Sequence, residues 1–371
     1  MRILVSGGGT AGHIYPALTV AARLAAEGHE VTFVGTPDGL EARLVPEAGV
    51  SFHAVKSSGF DRGNPLTLLT SAVKVLASVG AALRVLRRVA PDVVVGFGGY
   101  VSLPIGVAAT LKRVPLVLHE QNSVPGLANR ILARWARAVA VTYPESADRL
   151  TRAGSVVVTG NPVRDAVLEA SRERGREALG VRDDAVVVLV FGGSRGARHI
   201  NEAMRSLAPR LLGESRVQVI HVAGHAEYGD VVRALDDVLG ADAGRYTVLD
   251  YVERMGDAIA ASDVVVARAG ATSIAEITAI GRASVLVPYP YATDDHQTGN
   301  ARAVADAGGA IIVPDGELDT PRFAEAVLSL VSDAAARGRM AEAAARLGHR
   351  DATQRVASVV LGAVVPRKET R

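Results

Sequence analysis

The chain opens with MRILVSGGGTAGHIYPALTVAARLAAEGHEVTFVG, residues 1–35, and this segment decides the fold class. The apolar run of residues 3–5 enters the glycine-rich loop SGGGTAG (6–12), after which an amphipathic stretch leads to a second β-branched run, EVTFVG (30–35). A buried strand, a glycine turn and a helix in that order are typical of a parallel sheet covered by helices on both faces. The opening therefore predicts an α/β domain with a doubly wound sheet.

The same alternation continues along the chain and then restarts. Further apolar runs in the first half are PDVVVGF (91–97), PLVLHE (115–120), AVAVT (138–142) and SVVVTG (155–160). After residue 162 the runs are AVVVLVF (185–191), VQVIHVAG (217–224), YTVLDY (246–251), SDVVVARAG (262–270), ASVLVPY (283–289) and GAIIVP (309–314). The glycine loops also repeat, since LVSGGGTAGH (4–13) corresponds to LVFGGSRGAR (189–198) and PDVVVGFGGYVS (91–102) to SDVVVARAGATS (262–273).

This repetition predicts two similar Rossmann-like domains. We place the first at residues 1–161 and the second at 162–343, with a hinge around residues 159–163. The chain from about 344 to 371 is expected to be helical at its end and to pack back on the first domain.

Composition excludes several classes of function. The 41 basic and 39 acidic residues give a formal net charge of +2, which does not suit wholesale nucleic-acid binding. The chain has no cysteine, so disulfides, thiolate zinc sites and cysteine nucleophiles are excluded, and a reducing cytoplasm is favoured. Residues 93–111 carry no charge, but they contain Gly98, Gly99 and Pro104, so we predict a strand, a loop and a helix there and not a membrane span.

The opening loop satisfies the dinucleotide pattern Gly7-x-Gly9-x-x-Gly12, which leaves three interpretations open. An NAD site needs an acidic residue at the end of the second strand, and here Asp38 and Glu41 come only in the following turn. The loop can also be a tight turn with no ligand. A third interpretation is a phosphate loop beside His13, which follows the loop at a helix N-terminus, where a neutral imidazole suits a general base. A lone histidine is more often structural.

Several motifs together resemble the MurG family of glycosyltransferases. They are GGGTAGHIYPAL (7–18), PDVVVGFGGYVS (91–102), HEQNSVPGLANR (119–130), GNPVR (160–164), GGSRGARHIN (192–201), RAGATSIAE (268–276) and DDHQTGNA (294–301). The resemblance covers nearly the whole chain. It implies the GT-B architecture, in which two Rossmann-like domains face a cleft. It also implies inverting transfer of N-acetylglucosamine from UDP-GlcNAc to the C4 hydroxyl of MurNAc in lipid I, which forms lipid II in peptidoglycan synthesis.

The resemblance implies a donor site built mainly by the second domain. Glu276 would accept from both ribose hydroxyls, with a solvated helix glutamate as the less favoured alternative, and Ser194 would bind the diphosphate at a helix N-terminus. Gln297 would bind hydroxyls of the donor sugar. Thr298 and Gly299, which follow it, depart from the bulkier residues often found there, so the wall of the sugar site beside Gln297 is undefined. Val252 would meet uracil through its backbone. The expected UDP-GlcNAc set is Thr10, Ala11, Gly12, Asn122, Arg164, Ser194, Val252, Ala271, Thr272, Ser273, Glu276 and Gln297.

In the first domain the resemblance favours His13 as the general base. The loop residues Gly7, Gly8, Gly9, Thr10 and Gly12 would hold the lipid I pyrophosphate, and Glu120 is left open between a catalytic and a structural role. No cofactor and no metal are expected, because the chain has no Asp-x-Asp motif and Asp294 and Asp295 are adjacent, so that their side chains diverge. His221 and His225 end a strand and do not share a helix face, which disfavours a zinc pair.

The partners implied are UDP-GlcNAc, lipid I (undecaprenyl-pyrophosphoryl-MurNAc-pentapeptide) and an anionic membrane surface, and they could include other cell-wall and division proteins, but no nucleic acid. The implied location is peripheral, on the cytoplasmic face of the bacterial cell membrane. Three alternatives remain at this stage: a GT-B transferase for another lipid acceptor, a UDP-GlcNAc 2-epimerase-like enzyme, and a non-catalytic membrane adaptor.

The segment DRGNPLTLLTSAVKVLASVGAALRVLRR (61–88) predicts the membrane contact. Asn64 and Pro65 can begin a helix that runs to about Val89. One apolar stripe is expected to face the sheet, namely Leu66, Leu69, Val73, Leu76, Leu83 and Leu86. Leu68, Val75, Val79 and Val89 would fall largely outside this stripe. The first three form an interfacial patch together with the basic residues Lys74, Arg84, Arg87 and Arg88, with Arg62 nearby. A helix buried on both sides is the alternative.

Overall fold

A computed structural model describes residues 1–56, 68–150, 152–193 and 196–364, and for residues 68–75 and 241 it describes the backbone alone. The chain divides into two compact units. The first consists of Met1–Pro162 together with the chain from Asp351 onward, and the second is Val163–Arg350.

The first unit is built on a parallel sheet of seven strands in the described part of the chain, in the order β3-β2-β1-β4-β5-β6-β7. The strands are β1 Arg2–Ser6, β2 Glu30–Gly35, β3 Ser51–Ala54, β4 Val93–Gly96, β5 Leu116–Glu120, β6 Ala138–Val141 and β7 Val156–Val158. The helices are α1 Ala11–Ala26, α2 Glu41–Glu47, α3 Leu68–Val89, α4 Ser102–Leu111, α5 Leu127–Leu132 and α6 Pro144–Ala147, with a 3₁₀ turn at Ala133–Trp135.

The second unit repeats this plan with six described strands in the order β10-β9-β8-β11-β12-β13, again all parallel. They are β8 Val186–Phe191, β9 Val217–Val222, β10 Tyr246–Leu249, β11 Val264–Arg268, β12 Ala283–Val287 and β13 Ala310–Ile312. The helices are α7 Asp165–Leu168, α8 Arg172–Ala178, α9 Arg198–Leu212, α10 Tyr228–Leu239, α11 Met255–Ala261, α12 Ala271–Ile280, α13 His296–Ala305, α14 Pro321–Ser332 and α15 Ala334–Leu347, with 3₁₀ turns at Gly240–Arg245, Thr293–Asp295 and Asp315–Glu317.

The central strands are apolar on both faces because helices cover both sides of each sheet. In the first unit Leu4 and Val94 belong to one buried cluster, and Ile3 and Val95 belong to the cluster on the opposite face. Strand order reverses between β1 and β4, and again between β8 and β11. In open α/β sheets ligands bind at the carboxyl ends of strands at such a point, and the four glycine loops found in the sequence follow these four strands.

The prediction of two parallel α/β domains is confirmed, with two differences in detail. Strand β3, with the sequence SFHA, was missed, because a four-residue edge strand with half-exposed side chains has no continuous apolar run. The return to the first unit begins at Asp351 and not near 344. Helix α15 packs on α12 and β12 of the second unit, whereas α16, Ala352–Gly362, packs on α1 and buries Val356 and Val360.

The prediction for α3 was partly wrong. Leu83 and Leu86 contact the core as expected, but Leu76 is 71% exposed and Val89 packs against the core. The buried face includes Ala82 and Leu86, and Leu76 lies about 120° around the helix from Ala82. Arg84, Arg87 and Arg88 are exposed and Val79 is half-buried.

Other parts of that prediction fall outside the described residues. They include Arg62, Asn64, Pro65 and Leu66 and the side chains of Leu68, Leu69, Val73, Lys74 and Val75. Residues 93–111 form β4, a glycine turn and α4, as predicted. In the part of the chain that the structure describes, no helix is both long and apolar enough to cross a membrane.

Candidate active site

Two glycine turns meet at the switch point of the first sheet. The loop after β1 contains Gly9 with φ +82°, and the turn after β4 contains Gly98 and Gly99 with φ +91° and +80°. A side chain on Gly99 would collide with the carbonyl oxygen of Gly8, and one on Gly98 would press on the ring of His13. The chain needs glycine at these positions because the two turns touch and their backbone is left-handed.

His13 lies in the first turn of α1, directly beside this junction. Its Nδ1 is 3.2 Å from the Gly8 carbonyl oxygen and 3.0 Å from Thr10 Oγ1. A proton on Nδ1 satisfies both contacts, since a carbonyl oxygen accepts and a hydroxyl can accept, and it leaves Nε2 as the basic nitrogen. The half-buried ring is therefore oriented as a general base requires.

Glu41 is a site residue that the sequence reasoning missed. It is fully buried, and its Oε1 accepts from the Thr36 backbone N–H at 2.9 Å and from Thr36 Oγ1 at 2.7 Å. Its Oε2 accepts from Gly9 N–H at 3.4 Å. An acidic group therefore does stand at the end of β2, although it comes from the following helix. Because its oxygens serve the protein's own donors and it has no exposed surface, it is not placed to bind a dinucleotide ribose.

The loop after β5 is organised by Glu120, which is 2% exposed. Oε1 accepts from Asn122 N–H at 3.0 Å, and Oε2 accepts from Gly126 N–H at 3.0 Å and from Asn129 Nδ2 at 2.8 Å. Burial raises the pKa of Glu120, and the donors of the loop oppose that rise. These contacts favour the structural alternative for Glu120, in which it shapes the loop that carries Asn122.

His119 and Gln121 are buried beneath the same edge of the sheet. Burial lowers the pKa of His119 to about 4, and its Nε2 lies 3.2 Å from the Gly160 carbonyl oxygen. Its ring packs on Phe97 at 5.2 Å between centroids, and Gln121 Nε2 donates to the Phe97 carbonyl at 2.9 Å. His119 is therefore a neutral core histidine next to the site.

In the second unit the structure pairs two of the predicted donor residues with each other. Arg164 donates to Oε1 of Glu276 from Nη2 at 2.7 Å and from Nε at 3.2 Å. Glu276 is 5% exposed, and burial raises its pKa even though Arg164 opposes the rise. A buried carboxylate oriented by an arginine at the carboxyl edge of the sheet is suited to accept hydroxyl donors of a ligand.

The first turn of α12 holds three further predicted residues. The helix begins at Ala271, after Gly270 with extended backbone (φ −69°, ψ 142°), so the N–H groups of Ala271, Thr272 and Ser273 lie at its N-terminus. Thr272 Oγ1 is buried without a hydrogen-bond partner. Such a terminus stabilises an anion.

The remaining predicted residues are spread over other strand ends. Val252 is half-buried after β10, and Gln297 Oε1 accepts from Tyr289 N–H at 2.9 Å in the first turn of α13. Ser194 lies outside the described residues.

Neither His221 nor His225 is arranged for a metal. His221 is buried between Tyr246 Oη and Asn201 Oδ1, each at 2.9 Å, and burial lowers its pKa to about 4. His225 is instead on the surface, where Nδ1 is 2.9 Å from Asp250 Oδ2 and the ring stacks on Tyr251. Across the described ranges, no group of three or more potential ligands stands together to hold a metal ion.

Family models match both halves of the chain. The glycosyltransferase family 28 N-terminal domain matches residues 3–141, and the glycosyltransferase family 28 C-terminal domain matches residues 187–356. The first match contains the His13 junction and the second contains Glu276.

Relatives resemble the chain over nearly its whole length. Proteins of Moorella thermoacetica (42% identical over 98% of this chain and 99% of the relative) and Halothermothrix orenii (41% over 94% and 95%) are both named UDP-N-acetylglucosamine–N-acetylmuramyl-(pentapeptide) pyrophosphoryl-undecaprenol N-acetylglucosamine transferase. Among solved structures, MurG of Acinetobacter baumannii is similar with a TM-score of 0.79 and 30% identity over 97% of this chain and 99% of that one. UDP-GlcNAc 2-epimerase of Neisseria meningitidis, 14% identical with a TM-score of 0.70 over 98% and 100%, shares the fold.

Proposed function

The chain belongs to the MurG family within glycosyltransferase family 28, and we propose that it transfers N-acetylglucosamine from UDP-GlcNAc to lipid I and so forms lipid II. It is a hexosyltransferase of peptidoglycan synthesis. The observation that carries this function is identity of about 41% over nearly the full length to transferases named for this reaction. The geometry of His13 and Glu276 supports it from two separate places in the chain.

We propose that the reaction is a single displacement with inversion. The C4 hydroxyl of MurNAc attacks the anomeric carbon of the donor while UDP departs from the opposite face, which gives a β-linkage. Nε2 of His13 takes the proton of the hydroxyl, since Nδ1 faces the Gly8 carbonyl. General base catalysis of this kind contributes about 10²–10⁴ in rate.

The donor would be held by the second unit. The carboxylate of Glu276, oriented by Arg164, would accept the ribose hydroxyls, and the N-terminus of α12 would receive the diphosphate. The same N–H groups would stabilise the departing UDP, so the proposal includes neither metal nor cofactor. Val252, Gln297 and Ser194 keep the roles that the family resemblance gives them. Asn122 would contact the donor sugar from the loop that Glu120 shapes.

The acceptor loop needs one refinement. Because Gly9 N–H already donates to Glu41, we assign the lipid I pyrophosphate mainly to Thr10, Ala11 and Gly12 at the start of α1. Gly7 and Gly8 would serve by letting the backbone approach closely. We also propose that the enzyme acts at the cytoplasmic face of the membrane, because its acceptor is lipid-linked, with the basic residues of α3 on anionic lipid.

The test is product analysis with purified protein in the presence of a chelator. With UDP-GlcNAc and a short-chain lipid I analogue, we expect UDP and a β1,4-linked disaccharide product, and no turnover of the donor without the acceptor. Epimerisation of UDP-GlcNAc in the absence of acceptor would instead indicate an epimerase. Transfer only to a different lipid acceptor would contradict the assignment of lipid I, and loss of activity that magnesium restores would contradict the metal-free mechanism.

A further inference from the structure

One peptide group connects the buried carboxylate of Glu41 to the imidazole of His13. The N–H of the Gly8–Gly9 peptide belongs to Gly9 and donates to Glu41 Oε2 at 3.4 Å. The C=O of the same peptide belongs to Gly8 and lies 3.2 Å from His13 Nδ1. Carboxylate, peptide and imidazole therefore form a continuous hydrogen-bonded series within the first unit.

We propose that Glu41 is a positioning residue that acts on His13 through the Gly8–Gly9 peptide, as a carboxylate–histidine pair in which a peptide group is interposed. The inference rests on the proposed function, since it takes His13 as the general base. A negative charge at the N–H of a peptide increases the negative charge on its carbonyl oxygen, because hydrogen bonds in series polarise one another. The Gly8 carbonyl then holds the Nδ1 proton more firmly. It also stabilises the imidazolium that forms when Nε2 accepts the acceptor's proton.

The surroundings of Glu41 suit this role. The carboxylate has no exposed surface, so water does not screen its charge. The Thr36 backbone N–H fixes Oε1, which directs Oε2 toward Gly9, and Thr36 Oγ1 adds a second contact to Oε1. A side chain on Gly8 would collide with the carboxylate, which explains glycine at a position where the φ angle does not require it.

His119 is a second titratable group that acts on His13. A charge on His119 would oppose a charge on His13. Burial lowers the pKa of His119 to about 4, so His119 is neutral above that pH. The hydrogen-bonded series through the Gly8–Gly9 peptide connects the His13 ring to the charge of Glu41.

The substitution Glu41→Gln tests the series with little change of shape. All three donors that face Glu41 require acceptors, but an amide has one oxygen and one NH₂ group. If the oxygen stays with Thr36, the NH₂ group opposes Gly9 N–H and the link to His13 is lost. Thr36→Val is the matched control inside the pocket, since it removes one anchor and keeps both the carboxylate and the Gly9 contact. Glu47→Gln, an exposed position on the same helix α2, controls for the chemical change itself.

The readouts are the ¹⁵N shifts of the His13 ring, the pH profile of kcat, and KM for UDP-GlcNAc. In the wild type we expect the Nδ1–H tautomer. In E41Q we expect that tautomer to lose population. The titration midpoint of the ring and the acid limb of kcat should both move to lower pH, because a negative charge that favours the imidazolium has been removed. We expect kcat to fall on the order of tenfold, which is the effect of one charge acting at an effective dielectric constant of about 20. Donor KM is expected to be unchanged. T36V should melt at lower temperature and E47Q should not, and both should keep the wild-type tautomer and acid limb.

Two results would overturn the proposal. One is a folded E41Q protein with the wild-type tautomer and midpoint, which would make Glu41 a structural anchor only. The other is an Nε2–H tautomer in the wild type. Nδ1 would then have no proton to donate to the Gly8 carbonyl, so this result refutes the link to Glu41 even if E41Q does not fold. Full turnover by His13→Ala would instead refute the general base, while the ring shifts would still report on the link to Glu41.

Discussion

At His13, a proton on Nδ1 leaves Nε2 able to accept a proton from the substrate, as a general base must. Because Nδ1 faces the Gly8 carbonyl, we predict that His13→Ala lowers turnover by about 10²–10⁴. Donor affinity should be retained, since the proposed donor residues lie mainly in the second unit. The measurements are kcat on a soluble acceptor, UDP binding by calorimetry, and the melting temperature. His29→Ala, outside the site, is the control. Lower affinity and a lower melting temperature in H13A would assign the residue to structure.

Glu276 gives a prediction for donor binding and for its pH dependence. Replacing the carboxylate in Glu276→Gln should cost about 1.5–3 kcal/mol of UDP binding, or roughly tenfold to more than a hundredfold in Kd. Burial raises the pKa of this carboxyl, so Glu276 takes up a proton at a higher pH than an exposed glutamate does. The affinity of the wild type for UDP should therefore begin to fall at a pH above that at which an exposed glutamate is protonated. The affinity of E276Q should not show this fall.

The control for that titration is Glu325→Gln, an exposed position in the second unit. Calorimetry at several pH values should give the same curve for E325Q and the wild type. An equal decline in E276Q and the wild type would assign the pH dependence to another group.

At the scale of elements, α3 carries the prediction for the membrane. Leu76 is 71% exposed, and Arg84 and Arg87 are exposed about two and three turns further along the same helix, which therefore carries exposed apolar and basic side chains. Each charge near an anionic surface contributes about 1 kcal/mol. The variant Leu76→Ser with Arg84→Gln and Arg87→Gln should therefore sediment far less with anionic vesicles, while turnover on a soluble acceptor is unchanged.

The control removes two exposed charges from α9 of the second unit, Arg205→Gln with Arg210→Gln. This variant should bind vesicles like the wild type, and wild-type binding should weaken in high salt. If the α9 variant lost binding and the α3 variant kept it, the membrane surface would have to be assigned to the second unit.

At the scale of the whole molecule, each unit contains one buried neutral histidine among its described residues. His119 in the first unit and His221 in the second have their pKa lowered from 6.5 to about 4 by burial. A lowered pKa favours the neutral form in the fold, so each histidine contributes stability that is present above pH 6.5 and is lost as pH falls through about 4. We predict that the free energy of unfolding declines in this window by up to about 1.4 kcal/mol per pH unit for each histidine.

Urea unfolding of His221→Gln against the wild type isolates one of the two contributions. The variant should be less stable near neutral pH, because Tyr246 and Asn201 lose hydrogen bonds to the imidazole. Its free energy of unfolding should also depend less on pH. Equal slopes in both proteins between pH 6.5 and 4 would refute the assignment. His225→Gln, at an exposed histidine of the same unit, is the comparison.

The sequence by itself determined the α/β class, the two parallel sheets and the position of the glycine turns. Strands such as β4 and β8 are buried on both faces, so their apolar runs are visible without any knowledge of their neighbours. The edge strand β3 lacks that signal and was missed. His13 could be named because it follows a glycine loop at a strand end, and Glu276 because its motif resembles that of the family.

Only the tertiary structure decided which side chains act together. Arg164 and Glu276 are 112 residues apart, and Glu41 reaches Gly9 over 32 residues. No local pattern records these pairs, because they depend on how sheet order and helix packing bring distant strand ends to one edge. For the same reason the sequence left Glu120 ambiguous and Leu76 misplaced: burial and hydrogen-bond partners are properties of the packed chain, and periodicity along one element predicts only which residues share a face.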